Sequence, residues 1–248
     1  MSLPVVALLF VCALIVGVLI GTVGIGGVLL APALTFLAGV DVHEAMGTSM
    51  CAFVLTGVAG TASYARRGTL DWGTGARLGA GAMPGALVGA WANGLLSDQT
   101  LKVVLAVLLV ATGAYALTGV REAPAGGMPR GAVLAGVGLA IGAGSALTGT
   151  GGPVLTVPAL LLLGVPALAT VGVSQLVQLP IAAFGALGFA LYGEVDLLLG
   201  LALGVVASGG VLLGAHIAHA VPAAWLRRGV AAACVLAGVT IAIATWAA

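Results

Sequence analysis

The sequence predicts an all-α integral membrane protein built of two inverted-topology repeats, and three observations carry that prediction. The first is composition: 61% of the 248 residues are hydrophobic, 6% are charged and the mean hydropathy is +1.26. That leaves too little polar surface to cover a water-soluble globule of this size. The second is an internal duplication at an offset of 125 residues. Gly26-Gly27 returns as Gly151-Gly152, and the register continues through Gly39 and Gly164, Gly47 and Gly172, Ser49 and Ser174, Gly60 and Gly185, Asp71 and Asp196, Gly85 and Gly210, and Gly89 and Gly214. The third is a glycine-rich interruption at the same place in each copy, Thr22-Val-Gly-Ile-Gly-Gly27 and Thr148-Gly-Thr-Gly-Gly152. A duplicated, strongly apolar chain with one broken segment per half has the pattern of a secondary transporter whose substrate sits where the breaks meet.

Taken in order, residues 3–21 form the first apolar stretch; Met1-Ser-Leu-Pro4 carries no Lys or Arg, so the stretch reads as a membrane segment and not as a signal peptide. The first break follows, then a short arm over residues 28–38. Eleven residues of helix reach about 16 Å, roughly half the hydrocarbon layer. Residues 45–65, 73–95 and 101–119 are the next long stretches. The linker Val120-Arg-Glu-Ala-Pro-Ala-Gly-Gly-Met-Pro-Arg130 is the most polar and Pro/Gly-rich part of the chain, and it divides a first repeat, 1–125, from a second, 126–248. The second repeat supplies residues 131–147, a second break, a short arm over 154–163, and the stretches 169–192, 197–219 and 229–247. The expected total is eight crossings of about 17 to 24 residues, each long enough to span the bilayer, plus two short arms.

Charge placement sets the topology. If each broken stretch folds back, Arg66, Arg67, Arg121, Arg130, Arg227 and Arg228 share one face, with Arg77 close behind, and Lys102 is the single basic residue opposite. A simple crossing by residues 3–38 would scatter them over both faces. The first arrangement satisfies the positive-inside bias, gives each half an odd number of net crossings, and so inverts one copy relative to the other. The expectation is a multi-pass protein of the inner (plasma) membrane, its arginines cytoplasmic and both termini outside. Tyr64, Trp72, Tyr115, Tyr192, Trp225 and Trp246 lie near segment ends, where aromatic rings sit among headgroups.

The breaks are the candidate site. Clustered glycines at membrane depth free backbone groups that no water can satisfy, so such backbone must be buried in protein or line a cavity. The helix that follows opens with unpaired N–H groups and a positive dipole end, a site for an anion. Gly24, Gly26, Gly27, Gly149, Gly151 and Gly152 are the backbone candidates; Ser49 and Ser174, paired by the repeat, with Thr48, Thr150, Gln175 and Gln178, are the neutral side chains that could assist. Hydrogen bonding between helices is the competing role for those side chains. Asp71 and Asp196 follow turn sequences and read as interfacial caps. His216 and His219 read as interfacial residues. Gly81-x-x-x-Gly85-x-x-x-Gly89, Gly200-x-x-x-Gly204 and Gly210-x-x-x-Gly214 read as helix-packing stripes.

Other classes lack support. A net charge of +1 with scattered basic residues argues against a nucleic-acid partner. Cys12, Cys51 and Cys234 have no metal-ligand spacing, and neither a catalytic constellation nor a dinucleotide fingerprint is present, so no enzyme activity, metal or cofactor is expected. The partners are a small anionic substrate and the lipid bilayer, and a homo-oligomer is compatible with the sequence.

Three motifs together resemble a known family. Gly24-Ile-Gly-Gly-Val-Leu-Leu-Ala-Pro32 and Gly149-Thr-Gly-Gly-Pro-Val-Leu-Thr-Val-Pro158, the Gly-x-Ser of Gly47-Thr-Ser49 and Gly172-Val-Ser174, and the Gly-x-x-Asp ending at Asp71 and Asp196 are similar to the sulfite exporter TauE/SafE family over nearly the whole chain. The resemblance implies a permease for sulfite, sulfonates or related organosulfur anions. The residues alone reach only an anion transporter with alternating exposure of a midplane site. A permease for another small solute, or a membrane assembly subunit without transport, are the other readings. Pro153 stands where the first copy has Val28, and the second proline falls one residue late, so the two arms are expected to differ in geometry.

Overall fold

The computed structural model describes residues 3–117, 131–163, 165–191 and 195–218, with positions 235, 239, 242 and 243. Within them lie α1 (Leu3–Val23), α2 (Leu30–Ala38), α3 (Val42–Arg66), α4 (Trp72–Asn93), α5 (Asp98–Leu117), α6 (Gly131–Leu147), α7 (Pro153–Leu162), α8 (Ala167–Leu191) and α9 (Leu197–Ile217). The described residues form no strand. Among the described residues four stretches, Leu3–Val23, Val42–Arg66, Leu168–Leu191 and Leu197–Ile217, are long and apolar enough to cross a membrane. The expected stretch 229–247 apart from those four positions, the linker 120–130, and Arg121, Arg130, Arg227, Arg228, Tyr192, Trp225, Trp246, His219 and Cys234 lie outside the described residues.

Helix ends follow capping chemistry, and α3 and α5 each begin three residues earlier than hydropathy suggests. The Asp41 carboxylate accepts the His43 amide at 2.8 Å, which starts α3 at Val42 and not at residue 45. The Ser97 hydroxyl accepts the Thr100 amide at 3.3 Å and starts α5 at Asp98. Polar caps at a helix start are invisible to an apolar window, which explains both differences. Asp71 and Asp196 cap α4 and α9, accepting the amides of Thr74 and Leu199 at 3.1 and 2.9 Å with nearly the same backbone angles. The short α2 ends on Gly39 at φ +68°, with the Gly39 and Val40 amides donating back to Thr35 and Leu34. That left-handed cap turns the chain sharply out of the helix.

Glycines determine how the long helices meet. Gly17 and Gly21 of α1 face the backbone carbonyls of Ala207 and Val211 in α9, and Gly210 and Gly214 of α9 face those of Leu14 and Val18. Gly81, Gly85 and Gly89 of α4 face the carbonyls of Ala135, Leu139 and Ala143 in α6, and Gly138 and Gly142 face Leu78 and Ala82. In each case a Cβ would collide with backbone, so only glycine permits the approach. Both pairs advance in step and run parallel. α3 also runs parallel to α9, with Gly200 on Thr48 and Gly204 on Ala52, and α8 parallel to α4, with Gly75 on Leu176 and Gly79 on Pro180. α3 and α8 are antiparallel: Gly57 meets Leu179, Gly60 meets Gln175, and Gly185 meets Met50.

Two bundles result. One holds α1, α2, α3 and α9, the other α4, α6, α7 and α8, and they meet along α3 and α8. Exchanging each helix for the one 125 residues away turns one bundle into the other, although each contains a helix from the opposite half of the chain. Arg66 and Arg67 at the end of α3, Arg77 near the start of α4 and the start of α6 lie at one end of the assembly, with a Cβ on Gly131 only 3.6 Å from the Arg77 side chain. Asp41, Glu44 and Asp98 lie at the other, where the His43 ring approaches Asp98 at 3.4 Å.

Gly85→Ala in α4 and Gly210→Ala in α9 are equivalent lesions, each driving a methyl group into a carbonyl. Each should lower the stability of the purified protein by about 1–3 kcal/mol, read as a lower thermal unfolding midpoint in detergent, with unchanged ligand preference.

Candidate functional site

Each break forms because glycines accept backbone angles that other residues resist. In the second, Gly149, Gly151 and Gly152 have φ of +64°, +78° and +112°; in the first, only Gly24 is positive, at +75°. Gly26, the counterpart of Gly151, is right-handed at φ −76°, and the chain continues through a single 3₁₀ turn, Gly27–Leu29, before α2. α7 starts directly with Pro153 in its first turn, where a missing N–H costs nothing. The two arms therefore differ, as the Val28 to Pro153 exchange suggests.

The breaks meet across the bundle interface. A Cβ on Gly27 would lie 2.5 Å from the Thr150 carbonyl oxygen and 3.4 Å from the Phe53 ring; one on Gly151 would lie 2.5 Å from the same ring. Gly24 faces Val157 of α7 and Ser174 of α8, with 3.4 Å to the Ser174 hydroxyl, Gly149 faces Met46 of α3, and Gly152 faces Ile181 and Gln178. Gly26 instead packs back onto Val16 and Leu19 of α1. All six glycines are buried. Among the described residues, the amides of Gly26, Gly27, Gly151 and Gly152 have no hydrogen-bond partner.

The candidate side chains divide by position. Gln175 donates from Nε2 to the Ile20 carbonyl at 3.2 Å, the carbonyl that also accepts the Gly24 amide at 3.0 Å, so Gln175 stands at the first break. Gln178 donates to the Phe53 carbonyl at 2.8 Å and the Thr56 hydroxyl at 2.6 Å, beside the second. Thr150 shares a 3.2 Å hydroxyl contact with Thr148. The Ser49 and Ser174 hydroxyls both donate within their own helices, to Ala45 and Val171, at 2.7 Å. Thr48 lies apart from the breaks: its hydroxyl accepts the Asp196 amide at 3.0 Å and anchors the entry to α9.

Three residues at or near the breaks carry functions that sequence reading misses. Phe53 is the ring both breaks touch, and nothing in an apolar stretch marks it. Tyr64, expected among headgroups, is fully buried and donates its hydroxyl to the Gly21 carbonyl at 2.8 Å, satisfying a group that the end of α1 leaves open. Asn93 is also fully buried; its Nδ2 donates to the Leu147 carbonyl at 2.8 Å and approaches Met46 Sδ at 3.1 Å, and its Oδ1 lies 2.7 Å from His43 Nδ1. A lone amide inside the apolar stretch 73–95 was the available signal. Among the described residues no cluster of His, Cys, Asp and Glu could hold a metal ion.

Hydrogen bonds from the Thr74 hydroxyl, and then from its amide, hold the Asp71 carboxyl below the usual carboxylate range. A depressed folded-state pKa stabilises above the unfolded value and is lost as pH falls through the folded one. Asp71→Ala should therefore cost about 0.5–2 kcal/mol near neutral pH, and the gap in unfolding midpoint from the unmutated protein should close in acid. Its ligand affinity should stay unchanged.

A family model described as Sulfite exporter TauE/SafE matches residues 9–241. The chain is 30% identical over 113 residues to "Probable membrane transporter protein YunE" of Bacillus subtilis (strain 168), a match covering 41% of each protein. It is 31% identical over 109 residues to "Probable membrane transporter protein ORF9" of Sinorhizobium sp, covering 44% of this chain and 41% of that one. The matches thus span about two fifths of each relative's length. No solved structure matches the chain. With most of its length matched by the family model and both glycine breaks inside the match, the chain belongs to the sulfite exporter TauE/SafE family.

Proposed function

We propose that this protein is a membrane permease that binds a small sulfur oxyanion or sulfonate between its two glycine breaks and exposes it alternately to the two sides of the membrane. The observation that carries the reading is the set of buried, unpartnered amides at Gly26, Gly27, Gly151 and Gly152, brought together where two bundles meet. An unsatisfied buried amide costs about 1–3 kcal/mol, and a negative charge beside two helix starts removes that cost. The amides support an anion. Its sulfur chemistry rests on the family description, not on the geometry.

The antiparallel crossing of α3 and α8, which are 125 residues apart, supports inverted repeats in the membrane, with 1–125 and 126–248 as the two copies. Arg66, Arg67 and Arg77 at one end support a cytoplasmic assignment for that end. It puts the start of α1 outside, and a last crossing over residues 229–247 would return the C-terminus there. The moving units on this reading are the two bundles and not the two sequence halves. The breaks line their interface and are closed to solvent here, so entry of a substrate requires the bundles to part.

Single cysteines at Arg66 and Arg121 should resist an impermeant thiol reagent applied outside intact cells, whereas one at Asp98 should react. Labelling of all three would overturn the topology. For the site, Gly27→Val and Gly152→Val should each abolish anion-induced thermal stabilisation and liposome flux in a protein that still folds. Retention of both in both variants would place the substrate elsewhere. No flux of any anion by the unmutated protein under any gradient would favour an assembly subunit.

A further inference from the structure

Two side-chain amide oxygens at the breaks have no hydrogen-bond partner within the chain. Gln175 and Gln178 are fully buried, and the Oε1 atom of each lacks a hydrogen bond within the chain. Their orientation is not open to exchange of N and O, because Ile20 and Phe53 offer carbonyl oxygens that only an N–H can serve. Tying α8 to α1 and α3 accounts for Nε2. It leaves Oε1 unexplained, and a buried orphan acceptor is a cost that packing alone gives no reason to retain.

The repeat sharpens the point. The counterparts of Gln175 and Gln178 in α3, 125 residues earlier, are Met50 and Phe53, which carry no amide. Unpartnered side-chain amide oxygens are therefore supplied by α8 and not by α3: that of Gln175, which lies over Gly60 of α3, on the side chain bonded at the first break, and that of Gln178 on the side chain beside the second. An oxyanion held by the break amides and presenting only lone pairs would be repelled by these oxygens. An anion that also carries an O–H or N–H would satisfy them.

We propose that Gln175 and Gln178 determine specificity, selecting among the anions the breaks admit those that carry a hydrogen-bond donor close to the anionic group. This rests on the breaks being the anion site. A sulfonate with a neighbouring hydroxyl is the matching chemistry; its analogue with a methyl group in place of the hydroxyl is the mismatch. Sites built to bond a hydroxyl discriminate strongly against analogues that lack it, because their own polar groups are then left unpaired.

The test is calorimetric titration of the purified full chain in detergent with 2-hydroxyethanesulfonate and with 1-propanesulfonate. The hydroxylated anion should bind at least about five- to tenfold more tightly, the worth of one hydrogen bond. Gln175→Met and Gln178→Met should each reduce that ratio, and the double variant should bring it to about one. A ratio near one in the unmutated protein, which needs no variant to fold, overturns the inference while leaving the anion site standing. So does a ratio that survives in a folded double variant. If neither sulfonate binds the unmutated protein, the sulfonate reading of the site fails and this inference fails with it.

Discussion

The rest of this structure depends on the close approach of α1 to α9 and of α4 to α6. In a bilayer the lipid tails are as apolar as leucine, so helices gain little from hiding apolar surface and must gain instead from contact. Gly17, Gly21, Gly210 and Gly214 on one side, and Gly81, Gly85, Gly89, Gly138 and Gly142 on the other, remove the side chains that would keep the backbones apart. Six of these contacts correspond in three pairs at the 125-residue offset: Gly17 on Ala207 with Gly142 on Ala82, Gly210 on Leu14 with Gly85 on Leu139, and Gly214 on Val18 with Gly89 on Ala143. Each contact joins a helix of one half to a helix of the other. The duplication therefore does not yield two side-by-side copies; it yields two interlocked bundles with a shared interface at α3 and α8.

That interface is where the symmetry fails, and its failure is chemically informative. Gly26 and Gly151 are the same residue in the same motif with opposite signs of φ; Pro153 opens α7 directly, whereas a 3₁₀ turn over Gly27–Leu29 precedes α2. Across α3 and α8, Phe53 faces the backbone of both breaks while its counterpart Gln178 bonds to the Phe53 carbonyl. A symmetric pair of breaks would present the same groups to both ends of a ligand. This pair presents amides from both breaks but unpartnered side-chain amide oxygens from α8 alone, which on the proposed reading suits a molecule with two chemically different ends.

Much of this was legible in the sequence, for reasons that are local. A glycine at a positive φ, an aspartate before a helix, and a stripe of small residues four apart each state a backbone requirement of their own neighbourhood, so the breaks, the caps at Asp71 and Asp196, and the packing stripes could be read one motif at a time. What was not legible is which surfaces face each other. Nothing local says that α1 pairs with α9, that Tyr64 turns inward to the end of α1, that Thr48 serves the start of α9, or that Asn93 bridges α4, α6 and α3. An aromatic ring near a segment end is equally compatible with a headgroup and with a carbonyl of an adjacent helix; only the neighbouring helix decides.

The division into bundles also indicates where motion is cheap. Parting α1 from α9 would separate backbones in continuous contact over several turns, with no side chains to maintain it at longer range. Parting α3 from α8 disturbs a different set of interactions: the bonds of Gln175 to Ile20 and of Gln178 to Phe53 and Thr56, and the contact of Asn93 with His43. Hydrogen bonds of this kind are worth about 0.5–1.5 kcal/mol each on balance, within reach of a ligand that offers replacement partners. On the proposed reading the substrate supplies those partners at both breaks. The polar contacts that close the interface are then the groups best placed to register its arrival.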